Sequence, residues 1–467
     1  MRALHTGLRN LKPVTKNEKN IQFCILAFGV WLHAACSMLA ATTLPSAIDE
    51  IGGASIIGWA FTLYQLGSIV AGAATALLIA RLGFKYALLV AGCIYIMGSL
   101  ICAIAPSMSI LVSGRLIQGC GGGWLVALTF VVTNREFPPE KIPKLQAILS
   151  AVWSVSAFCG PLIGGTFSTI GLWRVAFWAF AMQGVLFLIA AGFVFKESPT
   201  QRSNIAEAFP LIRLSILASG VLLIAFAGLN IHPLLSLLLL VCSFCLFRKF
   251  LALDQQTVKS RMFPAQPFNL HHKIGAGLVL VFTAASTTMT FIVFGPYFLE
   301  NLYALTPLTA GYIILLESIG WGAAALWFAK YDNDELLIRC GVFLVTVAVI
   351  GFAAAMPNNR LILVMVCALL QGAGFGMMWG FIIKRAVASV PQRERDVASS
   401  SLPTTQQTAF AVGAALAGLV ANTMGFEDGA STQLVREVAF WVFAAFIPMA
   451  VFSNYAAWKF THMHKKA

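Results

Sequence analysis

The chain has 467 residues, of which 59% are hydrophobic and only 10% are charged. Soluble globular domains carry about a quarter charged residues, so this composition excludes a water-soluble protein and predicts a membrane protein. The formal net charge of +13 would suggest a nucleic-acid-binding protein in another context. Here the cations stand in short segments between apolar runs, which is typical of residues that orient a membrane protein. We therefore expect no nucleic-acid partner.

Apolar runs of membrane-spanning length follow one another along nearly the whole chain, and Pro, Gly and charged residues separate them. A spanning helix needs about 20 predominantly apolar residues. On this criterion we predict fourteen spanning helices, near residues 21–48, 57–80, 86–105, 108–133, 147–170, 174–195, 211–230, 233–250, 273–299, 308–330, 337–356, 360–384, 400–423 and 435–458. The predicted fold class is therefore an all-α membrane protein.

The first apolar run is too long for the apolar core of a signal peptide, and residues 1–20 before it are polar and basic. We expect an uncleaved first helix. The ten cysteines fall in the predicted spans, and Cys242 and Cys245 form the only C-x-x-C pair. Without a second pair this spacing does not indicate a metal or redox site, so we expect no metal, no cofactor and no disulfide.

The lysines and arginines alternate with the predicted spans. The N-terminal arm, the loops that follow even-numbered spans and the C-terminal tail hold 27 of the 31. Loops with an excess of Lys and Arg face the cytoplasm. The sequence therefore predicts an even number of spans with both termini in the cytoplasm.

The chain also contains an internal repeat. Residues 116–123 resemble residues 369–376 at an offset of 253 residues, and the same offset places Gly160 on Gly413. Two parallel repeats with a substrate site between them are a transporter design. We predict an N-terminal arm (1–20), a six-helix bundle (21–195), a linker with two additional spans (196–260), a second six-helix bundle (261–458) and a cytoplasmic tail (459–467).

A glycine- and proline-rich motif lies in the fifth predicted span. It reads Gly160-Pro161-x-x-Gly164-Gly165 and is soon followed by a Trp-Arg pair. Proline bends a helix, and glycine lets a neighbouring helix approach closely in lipid. The motif resembles the antiporter motif of the major facilitator superfamily, in particular its fourteen-helix drug:proton antiporter branch. The resemblance implies the major facilitator fold, a monomeric transporter rather than an enzyme, a small-molecule substrate exchanged for protons, and a place in the bacterial inner membrane.

Two departures from the family pattern concern charged residues. The family's loop after the second helix carries an Asp, and here Arg81, Gly83 and Lys85 are kept while Ala80 stands at the Asp position. The resemblance assigns this loop a role as a conformational latch, which Ala80 would weaken. Drug exporters of this branch often carry an Asp in the first helix, where this chain has Cys36. That difference argues against a strongly cation-selective site.

Three ionisable residues within predicted spans are candidates for proton coupling, because charges in lipid are costly and are by default functional candidates. Glu317 is the only acid deep within a predicted span, and a carboxyl in a dry cavity favours its protonated form. Arg115 begins the sequence Arg115-x-x-Gln118-Gly119, which is similar to a family motif whose Arg is implicated in proton coupling. His33 titrates near neutral pH in water. For each, a purely structural role in hydrogen bonding or interfacial packing is the alternative.

A set of neutral polar and aromatic residues in the spans could line the substrate cavity, although each could instead join helices by packing or hydrogen bonding. These residues are Cys36, Tyr64, Gln65, Gln118, Gln371, Trp379, Gln406 and Gln407.

The function that this sequence predicts is proton-coupled export of small amphipathic compounds or drugs by alternating access. Because the predicted spans contain few acids, a transporter of a specific metabolite or siderophore remains the alternative within transport. A transporter-like membrane sensor or scaffold without flux is the alternative from another class.

Overall fold

A computed structural model describes residues 16–137, 142–195, 211–229, 232–257, 261–331 and 333–463. These residues form helices and short connections without a β-strand, which confirms the all-α prediction. The α-helices are α1 (Lys16–Ile51), α2 (Ile57–Leu82), α3 (Phe84–Ala103), α4 (Met108–Glu136), α5 (Ile142–Thr169), α6 (Trp173–Val194), α7 (Leu211–Ala227), α8 (Pro233–Gln256), α9 (Lys273–Tyr303), α10 (Pro307–Phe328), α11 (Asp334–Ala355), α12 (Leu361–Ala388), α13 (Arg395–Thr423), α14 (Thr432–Ala444) and α15 (Ile447–His462). Most of the predicted arm and parts of the predicted linker and tail lie outside the described residues.

Twelve helical segments in the described ranges are long and apolar enough to cross a membrane. The other two predicted spans are also helical. One is α7, which has only 17 residues. The other is α13, whose 29 residues begin with the polar stretch 395–407.

The last predicted span, 435–458, falls within one membrane-length apolar segment, Thr432–His462, but that segment is not one continuous helix. The structure divides this segment into α14 and α15, with a break at Ala445 and Phe446. Pro448 stands in the first turn of α15. It has no backbone N–H, and its ring would clash with the carbonyl four residues earlier in a continuous helix, so the first helix ends and the second begins there.

The two predicted repeats pack alike. In the first half α4 packs on α2 and α3, and α1 packs on α5. In the second half α12 packs on α10 and α11, and α9 packs on α13. Each helix therefore meets the partner that its counterpart in the other half meets.

The halves contact each other through α5 with α10 and through α2 with α13. The Thr62 hydroxyl donates to the Ala411 carbonyl (3.1 Å), and the Leu308 N–H donates to Thr169 Oγ1 (3.0 Å). These bonds lie towards the end of the molecule where α2 and α10 begin. We call it the closed end.

The α7–α8 hairpin lies against both halves. α7 packs on α2 and α13, and α8 packs on α7. At its base the buried carboxylate of Asp254 accepts from Arg213 Nη1 at 2.5 Å and also from the backbone N–H groups of Met262 and Phe263. Asp254 lies in helix α8 but beyond the end of the predicted span, so the sequence count of intramembrane acids missed it.

Candidate functional site

A stack of three side chains joins α4, α2 and α1 in the first half. The guanidinium of Arg115 lies over the Tyr64 ring, 3.9 Å from its centroid, and the His33 ring stacks on Tyr64 with centroids 5.2 Å apart. The Tyr64 hydroxyl donates to the His33 carbonyl (2.8 Å) and lies 3.0 Å from His33 Nδ1. All three side chains are buried. The stack therefore places a positive charge inside the first half.

Two of the three nitrogens in the buried guanidinium of Arg115 lack a hydrogen-bond partner among the described residues. Arg115 Nη1 donates to the Cys36 carbonyl (3.2 Å) and to Gln118 Oε1 (2.6 Å), and it lies 3.7 Å from Cys36 Sγ. Nε and Nη2 have no partner in the described part of the chain, where no carboxylate pairs with Arg115 either. The amide of Gln118 is held in turn by Ser99, to which it donates at 2.8 Å. A buried charge without a counter-ion is costly, which marks this arrangement as a functional candidate.

Glycines in α4 let the helices of the stack approach closely. A Cβ on Gly119 would clash with the backbone carbonyl of Tyr64, and one on Gly122 would lie 2.6 Å from His33 Nδ1. Small residues at helix interfaces are the usual means of close packing in membranes. The glycine-rich run of the sequence repeat thus fixes the positions of Tyr64 and His33.

The second half holds a carboxylate where the first half holds Tyr64. Glu317 is buried, and its Oε1 accepts from Gln371 Nε2 at 3.1 Å. A Cβ on Gly372 would clash with the Glu317 carbonyl, as one on Gly119 would with that of Tyr64. Tyr64 and Glu317 are separated by the repeat offset of 253 residues. Equivalent positions in the two halves, where α2 packs on α4 and α10 packs on α12, therefore carry an aromatic ring in one half and an acid in the other.

Both groups border the contact between the halves. Ser318 follows Glu317 in the sequence. Its hydroxyl donates to the Ala157 carbonyl of α5 at 3.5 Å. One turn before Ala157, the edge of the Trp153 ring meets His33, with centroids 5.8 Å apart. Ser318, which follows the acid in sequence, and Trp153, which contacts the stack, thus lie near the same crossing of α5 and α10. Sequence reasoning missed Trp153 and Ser318 because no spacing pattern distinguishes them.

The remaining cavity candidates are spread along α2, α12 and α13. Gln65 is buried, while Gln406 and Gln407 are half-buried. The side-chain carbonyl oxygens of Gln65, Gln371 and Gln407 are buried without a partner among the described residues. Trp379 instead packs on Phe375, with ring centroids 6.0 Å apart. The amides therefore provide unused acceptors, whereas Trp379 belongs to an aromatic cluster.

The motif Gly160-Pro161-x-x-Gly164-Gly165 lies between α5 and its two neighbours. A Cβ on Gly160 would lie 2.5 Å from the Ala35 carbonyl, and one on Gly164 would clash with Thr42. The Pro161 carbonyl accepts from Thr42 Oγ1 at 3.0 Å, and the carbonyl that proline leaves without its helix donor is that of Ala157, four residues earlier. On the other side, a Cβ on Gly165 would lie 2.9 Å from the Cα of Leu308 in α10. The motif thus lets α5 pack closely on α1 in its own half and on α10 in the other half.

The latch candidates lie at the opposite end of α2. Gly83 joins α2 to α3 with a φ of 77°, which favours glycine. Arg81 is exposed and Lys85 is half-exposed. Within the described ranges neither forms an ion pair, so no charge pair of the latch type is present there.

Comparisons with known proteins agree with this architecture. Residues 26–331 match the sequence profile described as Major Facilitator Superfamily. A probable multidrug-efflux transporter of Mycobacterium tuberculosis is 30% identical over 464 residues, covering 95% of this chain and 94% of the relative. A multidrug efflux pump of Staphylococcus aureus is 24% identical, covering 75% of this chain and 78% of the pump.

Solved structures share the fold at low sequence identity. A D-xylose–proton symporter superposes with a TM-score of 0.67 at 15% identity, covering 95% of this chain and 98% of the symporter. A bacterial homologue of the human lysosomal transporter Spinster, in an inward-facing and occupied conformation, gives a TM-score of 0.66 at 14% identity, covering 96% and 97%. At these identities the likeness concerns the fold alone.

Proposed function

The chain belongs to the Major Facilitator Superfamily, and on that premise we propose that it exports small amphipathic compounds from the cytoplasm in exchange for protons. The observation that carries this proposal is Glu317, a buried carboxylate in α10 whose sequence neighbour Ser318 contacts α5 of the other half. Relatives that are described as multidrug-efflux transporters support the export of drug-like compounds.

Glu317 would couple the two fluxes by competition. Its one hydrogen bond in the described structure, from Gln371, does not neutralise an ionised carboxylate. In a low-dielectric site the charged form is unfavourable, so the carboxylate takes up either a proton or a donor group of the transported compound. Binding of the compound from the cytoplasm would release the proton, and a proton from outside would displace the compound.

Alternating access would require the closed end to open. With both termini in the cytoplasm, as the cation distribution predicts, the closed end faces outward, and the structure would represent an inward-facing state. Opening to the outside would break the bonds Thr62–Ala411 and Thr169–Leu308 while the core of each half moves as a body. The close packing around Gly160 and Gly165 would limit leakage while this end is shut.

The test is efflux of a fluorescent compound panel in proteoliposomes under an imposed pH gradient, with Glu317→Gln as the key variant. We expect gradient-driven transport in the wild type and its loss in Glu317→Gln, while compounds still bind. The matched control is Glu437→Gln, which changes an exposed acid on α14 and should leave transport intact.

Two results would oppose the proposal in different ways. Full gradient-driven transport by Glu317→Gln would remove this residue from the coupling step and direct attention to His33. No proton-linked flux across the panel would favour the transporter of a specific metabolite or siderophore. The neutral Cys36, which stands where drug exporters often carry an acid in the first helix, also supports that alternative.

A further inference from the structure

A basic cavity lies at one end of the second half, apart from the candidate site. It measures about 230 Å³ and lies between the first residues of α9 and α11 and the end of α12. That volume is below the range of about 300–1,000 Å³ that is typical of pockets for drug-sized compounds. The cavity therefore suits a small group, such as the headgroup of a larger molecule. Its lining residues are Lys273, Asp334, Lys384, Arg385, Ala388 and Ser389.

Three cations and one acid line this cavity, so its net charge is positive. Arg385 Nη1 donates to the Asp334 carboxylate at 3.0 Å, and Nη2 donates to the Thr461 carbonyl at the end of α15. The Lys384 side chain is exposed and forms no ion pair with the residues that the structure describes. An anion in the cavity would thus be attracted, although Asp334 is one of the lining groups.

The lysines are the side chains that can recognise an anion there. The Ser389 hydroxyl already donates to the Ala386 carbonyl at 2.7 Å, and Ala388 has no polar side chain. An ammonium group has three donors, so Lys273 and Lys384 can each contact an anion besides any bond that they make within the chain. Lysine is a common ligand of phosphate groups.

Aromatic side chains near the cavity place it at the level of the lipid headgroups. Trp458 and Tyr455 are exposed on α15, within two turns of Thr461, the residue whose carbonyl binds Arg385. Lys459 Nζ lies 5.4 Å from the centroid of the Trp458 ring. Exposed Trp and Tyr are enriched where a membrane protein meets the headgroups, and long cationic side chains reach the interface there.

We propose that this cavity binds the phosphate group of an anionic phospholipid of the cytoplasmic leaflet. The end of α15 lies beside it, so the predicted cytoplasmic location of the C-terminus places the cavity at that face. That leaflet carries anionic lipids, and basic pockets between helices on that side bind their headgroups. A lipid fits better than a soluble phosphate compound, because the aromatic residues place the cavity beside acyl chains. The inference is independent of the proposed export, since no lining residue belongs to the candidate site.

Native mass spectrometry of the delipidated full-length protein tests this inference through the affinity for added lipid. The matched probes are phosphatidylglycerol and phosphatidylcholine with the same acyl chains. Both have a phosphodiester, but the choline of the second cancels its charge. Since each lysine near an anionic surface contributes about fivefold in affinity, we expect the wild type to bind phosphatidylglycerol roughly twentyfold more tightly. In Lys273→Gln/Lys384→Gln that preference should be lost.

The control is Arg393→Gln/Arg395→Gln, which removes two exposed cations near the start of α13 that do not line the cavity. It should keep the preference of the wild type. An equal loss of preference in both double variants would indicate general attraction to a basic surface and would overturn the inference. An unchanged preference after removal of the two lysines would overturn it as well.

A competition experiment identifies the source of the phosphate. Glycerophosphoglycerol, which is the headgroup of phosphatidylglycerol without its acyl chains, and inorganic phosphate are each added to the lipid complex. We expect neither to displace the lipid, even in large molar excess. Displacement by either would show that the cavity takes a soluble phosphate compound and would overturn the assignment to a lipid. These measurements involve no transport, so their outcome is separate from that of the proposed function.

Discussion

The guanidinium of Arg115 lies face-on over the ring of Tyr64, 3.9 Å from its centroid, in the buried interior of the first half. An aromatic face attracts a cation, and the attraction amounts to about 2 kcal/mol or more where both groups are desolvated. Tyr64 therefore offsets part of the cost of burying Arg115. The ring and the hydroxyl of Tyr64 have separable roles, since the hydroxyl contacts His33 instead.

Substitutions at Tyr64 should separate these two roles. Tyr64→Phe keeps the ring and removes one hydrogen-bonding group, so we expect a loss of about 1 kcal/mol in stability. Tyr64→Leu removes the ring and leaves Arg115 without its aromatic partner, so we expect a loss of roughly 3 kcal/mol or more. Thermal unfolding of the detergent-solubilised protein measures both. Equal effects of the two substitutions would show that the ring does not stabilise the guanidinium.

A second relationship concerns Gly372 and the acid that it supports. The α-carbon of Gly372 packs against the backbone carbonyl of Glu317, and a Cβ there would clash with it. Gly372→Ala should therefore displace α10 from α12, lower stability by about 1–3 kcal/mol and reduce proton-driven transport.

The control for this prediction lies in the same helix. A Cβ on Gly380 would meet no atom within 4 Å, so Gly380→Ala should be neutral or slightly stabilising, because alanine favours helix over glycine. Comparable losses in both variants would mean that the close approach at Gly372 has no special role. The comparison requires only melting curves and transport assays on two proteins.

The sequence predicted the helical architecture well because the lipid environment imposes a length and an apolar composition on each span. It placed α7 and α13 correctly even though one is short and the other begins with polar residues. The break before α15 was not predicted, because the run 435–458 is predominantly apolar and a single proline there does not distinguish a kinked helix from an interrupted one. Helix ends were also missed, and α9 continues to Tyr303, beyond the predicted residue 299.

The candidate site was predictable only in part. Glu317 and Arg115 stand out in the sequence because charges are rare in apolar runs. The stack of Arg115 on Tyr64 and the contact of Trp153 with His33 depend on how four helices pack, and no residue spacing records that. Tyr64 and Glu317 are separated by the repeat offset of 253 residues. Only the structure shows that each packs against the equivalent glycine, Gly119 or Gly372, and so occupies the same place in its half.

The closed end is held by an acid of the second half that binds the backbone of the first. The carboxylate of Asp428, between α13 and α14, accepts from the N–H groups of Gly53 (2.8 Å) and Ala54 (2.9 Å), between α1 and α2. Asp428 is exposed, so water weakens these charge-assisted bonds, and we expect the pair to contribute roughly 1 kcal/mol in total. If the halves separate at this end during transport, Asp428 favours the closed state, and its removal should shift the population towards the open one.

Hydrogen–deuterium exchange with mass spectrometry can test this shift without labels. In Asp428→Ala we expect faster exchange at the ends of α5 and α10, in residues 165–172 and 306–312, which Asp428 does not bond to but which separate when the closed end opens. The matched control is Glu427→Ala, because only the backbone carbonyl of Glu427 accepts a hydrogen bond in the described structure. Faster exchange confined to residues 52–56 and 427–430 would mean that Asp428 orders only its own loop and does not control opening between the halves.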